Sequence, residues 1–513
     1  MVTTTRFRSI LFGDHESWPA SSEQPSFFQD LNLDQVIKAI TAGREQYDLK
    51  PFFYLPLHQV DLIEYRQQIF RDLDGTSLLQ SIKSFANRME EMRQHLSLAK
   101  KVSYAYQSQK WFLDAVGIYC DLVTSIANDL SQASPQSKGL SVFREFLISY
   151  TESDHFKNLV EQTQALQTDL AAIQYCIRIK GGSLRVRRFE SESNYSAAVE
   201  ETFAKFRQGS VKDYRVQFSE YVQMNHIEAK VLEFVARLYP ELFSKLASYC
   251  ADNVDFLDPA ISTFDREIQF YIAYLNHIEK FRKQGWRFCY PTLTSQPTDI
   301  HVDRLFDLAL ANKLAQQETS IVLNDFRLSG NERVIVVSGP NQGGKTTFAR
   351  AFGLAHYLAS LGLLVPGTSA RLLRFDRIFT HFEREEEVKN LRGKLQDDLF
   401  RIREILNSAT SSGLLIMNEI FTSTTVRDAL FLSEEIMRRI LELGLLCVWV
   451  TFVDELASFG ERVVSMVAAV DCDDPTVRTF KVIRARADGL SYAMSIAEKY
   501  RLTYRQLKER IRS

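Results

Sequence analysis

From about residue 57 to 170, apolar residues recur at three- and four-residue steps while glycine and proline become scarce, which predicts a run of amphipathic helices. Near 173–189 the period changes to two. Ile177, Ile179, Leu184 and Val186 alternate with Arg178, Lys180, Arg185 and Arg187, and Gly181-Gly182 separates the two runs, which predicts a β-hairpin with a tight turn. Helical spacing returns at about Ser196 and continues, with breaks, to about 283. Phe264, Ile268, Tyr271, Leu275 and Ile278 follow steps of 4, 3, 4 and 3, the seam of a long packed helix. Ile227, Val231, Phe234 and Leu238 suggest a second seam. Such seams fit an ordinary helical bundle as well as a pair of long lever helices.

From about 295 the pattern shifts again. Short apolar runs at Val334–Val337, Leu414–Met417 and Leu445–Val450 alternate with helical stretches, which predicts an α/β domain with a largely parallel sheet. The fold class is therefore α plus α/β: a helical region followed by an α/β domain. The expected boundaries are 1–54, a turn-rich segment of unassigned fold; 55–294, a helical domain carrying the hairpin; and 295–513, the α/β domain.

Composition narrows the function classes. The 513 residues are 45% hydrophobic and 25% charged, ordinary values for a folded protein, and the formal net charge of -2 advertises no global affinity for nucleic acid. Cys120, Cys176, Cys250, Cys289, Cys447 and Cys472 stand far apart, without metal-ligand spacing, which favours a reducing compartment. No apolar run reaches the length of a membrane span or a signal peptide, so the expected location is the cytoplasm, with no membrane partner.

The segment VIVVSGPNQGGKTTFARAFG carries the most specific chemistry. Gly339, four intervening residues and Gly344-Lys345-Thr346 fit a phosphate-binding loop between a buried strand and a helix. In such a loop, backbone N–H groups and the positive end of the following helix face the anion. The expected nucleotide-binding set is Gly339, Pro340, Asn341, Gln342, Gly343, Gly344, Lys345, Thr346 and Thr347, with ATP and Mg²⁺ as cofactors. Lys345 would neutralise the β- and γ-phosphates and Thr346 would ligate Mg²⁺. Such a loop needs an acidic partner at the end of a neighbouring strand. Leu414–Met417 supplies the strand, followed by Asn418 in the metal-holding position and Glu419 as the group that polarises water.

These segments resemble the MutS family of DNA-repair ATPases. GPNQGGKTT at 339–347 is similar to its phosphate loop, and Asp376–Thr380 to the strand beyond the next helix. Asn418-Glu419-Ile420 with Thr424, Thr425 and Asp428 resembles its DEI…TST.DG stretch. Thr451, Glu455 and Leu456 resemble TH..EL, and Gly489–Tyr492 with Ile496-Ala497 its C-terminal helix. Tyr65–Phe70 looks like the start of the family's helical core, and the hairpin lies where the family carries its DNA clamp. No counterpart of the mismatch-reading domain is visible. The resemblance implies a homodimer, lever helices that move with nucleotide state, and Asp428 shaping a loop that faces the second nucleotide. This sequence departs from the family at Asn418 in place of Asp, at Phe452 in place of His, near Gly393 where a Ser is usual, and at Ile321 where an aromatic ring often meets the base.

Arg178, Lys180, Arg185, Arg187 and Arg188 form a basic cluster on and beside the hairpin. Alone, the cluster reads first as a solvated outer face; with the resemblance, it becomes a candidate DNA-backbone contact without base reading. The expected function is an ATP-binding, slowly hydrolysing protein that binds DNA by structure rather than by mismatch. A nucleotide switch with little turnover and a non-repair ABC-like ATPase are the alternatives.

Overall fold

A computed structural model describes residues 7–14, 23–181, 183–190, 224–315, 317, 320–383, 393–471, 474, 477–487 and 500–511. The chain divides into two compact units. One comprises Met1–Arg8, Gly75–Gln136 and Leu140–Asp265; the other comprises Ser9–Asp74, Ser137–Gly139 and Arg266–Ser513.

The first unit is helical. Helices Ser77–Lys101 and Ala105–Ala133 are its longest elements, and Leu113, Val116, Tyr119, Val123, Ile126 and Leu130 give the second a buried stripe. Steps of three and four residues place these side chains on one face, so burial of that face, rather than intrinsic propensity, supplies most of the helix's stability. Buried hydroxyls find partners: Tyr119 meets Tyr150 at 2.9 Å, and Thr163 meets Tyr249 at 2.6 Å. Unpaired, each would cost about 1–3 kcal/mol.

The hairpin forms as the alternation predicts, from Tyr175–Lys180 and Ser183–Arg188. The helix His226–Leu238 starts at a reciprocal cap between Asn225 and Glu228. Its buried residues are Val235 and Ala236, while Ile227 is 55% exposed. The seam expected at Ile227, Val231, Phe234 and Leu238 is thus displaced around the helix. The helical pattern expected at 196–223 lies outside the described residues.

The second unit contains the α/β domain and more. Its six-stranded sheet has the order Ile378–Phe382, Leu414–Asn418, Leu446–Val450, Val334–Ser338, Val463–Val470, Arg478–Arg484. All neighbours are parallel except the last pair. The three runs read as buried strands are buried at every position, as expected of a sheet covered on both faces. Val334, Val336, Leu415, Met417, Cys447 and Trp449 share a core with Ile436, Met437 and Ile440 of the helix Val426–Leu443. A second sheet pairs Thr292–Thr294, Ser369–Leu373, Asp299–Leu305 and Asn324–Ser329. Its strands are short and one pair carries a bulge, so the alternation at Ile300 and Val302 and at Phe326 and Leu328 runs for only a few residues.

The linear boundaries differ from the observed division. The turn-rich N-terminal segment packs against the end of the helix Lys345–Ser360. Phe28 meets Tyr357 edge-on at 5.2 Å, and the Tyr357 hydroxyl donates to Phe53 O at 2.7 Å. The helix Val60–Leu73 joins the same unit through Arg66, fully buried, whose guanidinium donates to Leu11 O and Leu361 O, each at 3.1 Å. The unit boundary falls inside the helix Pro259–Arg282, whose five seam residues from Phe264 to Ile278 are all buried. Among the described residues, no helix is long and apolar enough to cross a membrane.

Candidate nucleotide site

The site is built at the carboxyl end of the parallel strands, where an open α/β sheet leaves a crevice. Strand Val334–Ser338 ends at Gly339, and the helix Lys345–Ser360 begins six residues later. Gly339 has φ +110°, and a Cβ there would fall 2.9 Å from Ala468 O. The neighbouring strand therefore excludes any side chain at this turn. Gly344 has φ +93° and caps the helix. The loop's backbone path is thus fixed by the residues the motif specifies.

Lys345 is 5% exposed. Its Nζ donates to Gly339 O at 2.8 Å, Pro340 O at 3.2 Å and Asn341 Oδ1 at 3.3 Å, and lies 3.7 Å from Glu419 Oε1. Burial lowers the pKa of this amine, and the Glu419 carboxylate opposes that shift. An anion entering the loop would substitute for these carbonyls as the partner of the buried amine.

Asn418 and Glu419 end the strand Leu414–Asn418, but that strand is not the hydrogen-bonded neighbour of the loop strand. Leu446–Val450 lies between them. The gap is closed by the helix, which carries Thr346 across, and Thr346 Oγ1 donates to Asn418 Oδ1 at 2.8 Å. Beyond the intervening strand, Thr451 is buried; its N–H donates to Val337 O at 3.1 Å, and its hydroxyl accepts from Val453 N at 3.0 Å. Thr451 therefore spaces the two strand ends. Phe452 follows and is 46% exposed.

Glu419 has φ +51°, while its N–H donates to Val450 O at 2.9 Å and its side chain stays half-exposed. Phe421 has φ +62° and is fully buried. Two left-handed residues within three positions mark a path that non-glycine residues adopt at a cost of order 1–3 kcal/mol each. Surrounding contacts must hold it. Asp428 accepts from Thr425 Oγ1 at 2.8 Å, and its N–H donates back to that hydroxyl at 3.2 Å, closing a cap at the start of the helix Val426–Leu443.

Thr346 and Asn418 present neutral oxygens side by side, and Glu419 the nearby carboxylate. Oxygen donors of this kind fit a hard cation such as Mg²⁺, which retains several waters; Thr346 and Asn418 would hold it. Among the described residues, no cluster of three or more His, Cys, Asp or Glu could hold a metal independently.

The sequence pattern missed one neighbour of the loop. Phe480, with φ +57° and 49% exposed, lies beside Gly344: a Cβ on Gly344 would sit 3.7 Å from Phe480 Cα. Asn324 fixes that strand by donating to Phe480 O at 3.2 Å and accepting from Val482 N at 2.7 Å. Ile321, the position expected to meet a base, is half-buried on the segment before Asn324. Phe480 sits in a run, TFKVIR, whose sequence gives no sign that its backbone turns left-handed there.

The basic residues belong to the other unit. Arg178 pairs across the hairpin with Arg185, and Cys176 with Arg187, so Arg178, Lys180, Arg185 and Arg187 share one face. Arg188 pairs with Tyr175 on the opposite face. Its guanidinium donates to Leu238 O and lies 4.8 Å from the Tyr239 ring centroid, so it anchors the hairpin to the following helices rather than joining the basic face. Gly489–Tyr492 and Ile496-Ala497 lie outside the described residues.

Strand, glycine loop, helix, hydroxyl and carboxylate together define an α/β domain of the P-loop class. Residues 335–509 match the family model of MutS domain V. The chain is 31% identical over 188 residues to endonuclease MutS2 of Thermus thermophilus, covering 36% of this chain and 25% of that protein. It is 30% identical over 182 residues to the DNA mismatch repair protein MutS of an Exiguobacterium species (34% and 22%), and 29% over 184 residues to that of Shouchella clausii (35% and 21%). Through residues 335–509 the chain is similar to members of the MutS family. The matched part spans a quarter or less of the length of these relatives.

Proposed function

We propose that the protein binds ATP with Mg²⁺ at residues 339–347, hydrolyses it slowly, and couples nucleotide state to binding of DNA by shape rather than by mismatch. The observation that carries this reading is the meeting of Thr346 and Asn418 at 2.8 Å beside Lys345 and Glu419, on a loop where Gly339 and Gly343 leave no room for a side chain. Gly339 to Gly344 would surround the phosphates, Lys345 would neutralise them, and Thr346 would hold the metal ion, which when bound draws charge off the γ-phosphate. Glu419 would orient the attacking water. Phe480, 49% exposed beside the loop, would be available to a purine base. Asn418 carries no charge, so the metal would be held less tightly than by a carboxylate, which makes turnover slow.

DNA as partner is supported by relatives named for DNA mismatch repair and by the four cations on one hairpin face. A ribbon of this kind would contact phosphates without reading bases. A homodimer and a cytoplasmic location belong to the same proposal. The test is ATP turnover with and without branched or duplex DNA, alongside Glu419→Gln. DNA-stimulated turnover that vanishes in the variant supports the reading. Tight ATP binding without turnover under any condition would replace it with a nucleotide switch.

A further inference from the structure

The loop that carries Glu419 is held by side chains from two other elements. Thr422, three residues beyond Glu419, donates its hydroxyl proton to Glu383 Oε1 at 2.9 Å. Lys394 pairs with the same carboxylate oxygen and reaches Thr422 Oγ1 at 3.3 Å. The three side chains come from three separate elements: Glu383 just after the edge strand Ile378–Phe382, Lys394 at the first turn of the helix Lys394–Ser408, and Thr422 in the Glu419 loop.

A second contact joins the same strand and helix. His381 Nε2 lies 3.2 Å from Asp398 Oδ1, with His381 fully buried and Asp398 8% exposed. Residues 381 and 383 are two apart along the strand direction, and 394 and 398 are four apart on the helix, so each pair shares a face. The helix meets the strand at two rungs: an inner close approach of His381 and Asp398 that is not a hydrogen bond, and an outer ion pair that extends to Thr422. An isolated surface ion pair contributes about 0–1 kcal/mol. Here the pair closes a ring with a hydroxyl, and the neighbouring rung is buried, so its geometry is constrained from both sides. Lys394, followed by Thr422, holds the Glu383 carboxyl below its usual range.

We propose that Glu383, Lys394 and Thr422 form a clamp that positions Glu419 for hydrolysis by restraining its strained loop, with Glu383 the central positioning residue. The clamp would act mainly on Glu419, because the Lys345 amine is also held by Gly339, Pro340 and Asn341 of the phosphate loop. This inference rests on the ATPase reading of the same site.

The experiment uses the full chain with Thr422→Val, Thr422→Ser and Glu383→Gln. Steady-state turnover and equilibrium ATP binding are measured together, and amide hydrogen exchange is followed in peptides covering 414–425 and 334–347. In Thr422→Val and Glu383→Gln, kcat is expected to fall about tenfold to a hundredfold. ATP affinity should stay within about twofold of the parent, and exchange should accelerate in 414–425 but not in 334–347. Thr422→Ser should restore both readouts. Unchanged exchange in 414–425, or loss of ATP affinity in step with turnover, would overturn the clamp. A parent protein that binds ATP without turnover would instead refute the ATPase reading, and the exchange data alone would then decide whether the loop is clamped.

Discussion

Two regions of this protein present positive charge suited to phosphate, and they are built on opposite principles. The loop 339–347 has one buried lysine, a backbone fixed by glycines, and neighbours that already occupy every donor of that lysine. The hairpin has four cations on one exposed face, aligned by strand register alone. The first is preorganised, so its ligand replaces existing contacts at little conformational cost. The second would gather phosphates through released counterions, with strength set by salt rather than by shape. Charge count therefore says little about which region binds more selectively; burial and backbone constraint say more.

The largest expected effect sharpens the preorganised side. Glu419→Gln should lower turnover about 10²- to 10⁴-fold while leaving ATP affinity nearly intact, as expected for a group that acts on the attacking water. Equal loss of binding and turnover would show that Glu419 serves Lys345 rather than water. Asn418→Asp comes next: restoring a carboxylate beside Thr346 should lower the Mg²⁺ concentration needed for half-maximal turnover about tenfold, measured by metal titration. No change would mean that Asn418 does not contact the metal's water shell.

On the open side, Arg185→Ala should flatten the dependence of DNA affinity on salt by about one unit of slope, without changing preference among sequences. Arg188→Ala should leave that slope unchanged and loosen the hairpin instead, because Arg188 is spent on Leu238 and Tyr239. The reverse pattern would reassign the binding face.

The smallest effect concerns the support of the nucleotide unit. His356 is fully buried, its Nδ1 2.8 Å from Phe352 O, and burial lowers its pKa from 6.5 to about 4. Between those values the unfolded chain binds a proton that the folded chain refuses, so stability is lost as pH falls from 6.5 towards 4. His356→Phe should flatten the pH dependence of the melting temperature in that window, removing at most about 3 kcal/mol of it. Asp307, raised to about 6 by burial, has the opposite slope between its usual value and 6 and should remain in the variant.

What the sequence revealed follows the same division. The phosphate loop was legible because its backbone demands glycine at fixed positions and its strand is buried on both faces. The hairpin was legible because strict alternation can be read without tertiary context. The anchoring of Arg188 was not legible because it depends on Leu238 and Tyr239, about fifty residues away. Phe480 and the Glu383–Lys394–Thr422 cluster were invisible because their partners lie on separate elements and no local spacing marks them. The N-terminal segment was unassigned because its aromatic side chains pack on Tyr357 and on one another across separate short elements, contacts that no local spacing marks. The strand holding Asn418 was expected beside the loop strand, and only the sheet order shows that Leu446–Val450 separates them.

The central claim is that the 339–347 loop is a nucleotide site dominated by Lys345. It is tested most directly by equilibrium binding of ATP with Mg²⁺ to the full chain and to Lys345→Ala, with folding of both checked by thermal melting. The account predicts saturable one-site binding to the parent and at least a hundredfold weaker binding to the variant, at similar melting temperatures. Equal affinity in the two proteins would contradict it.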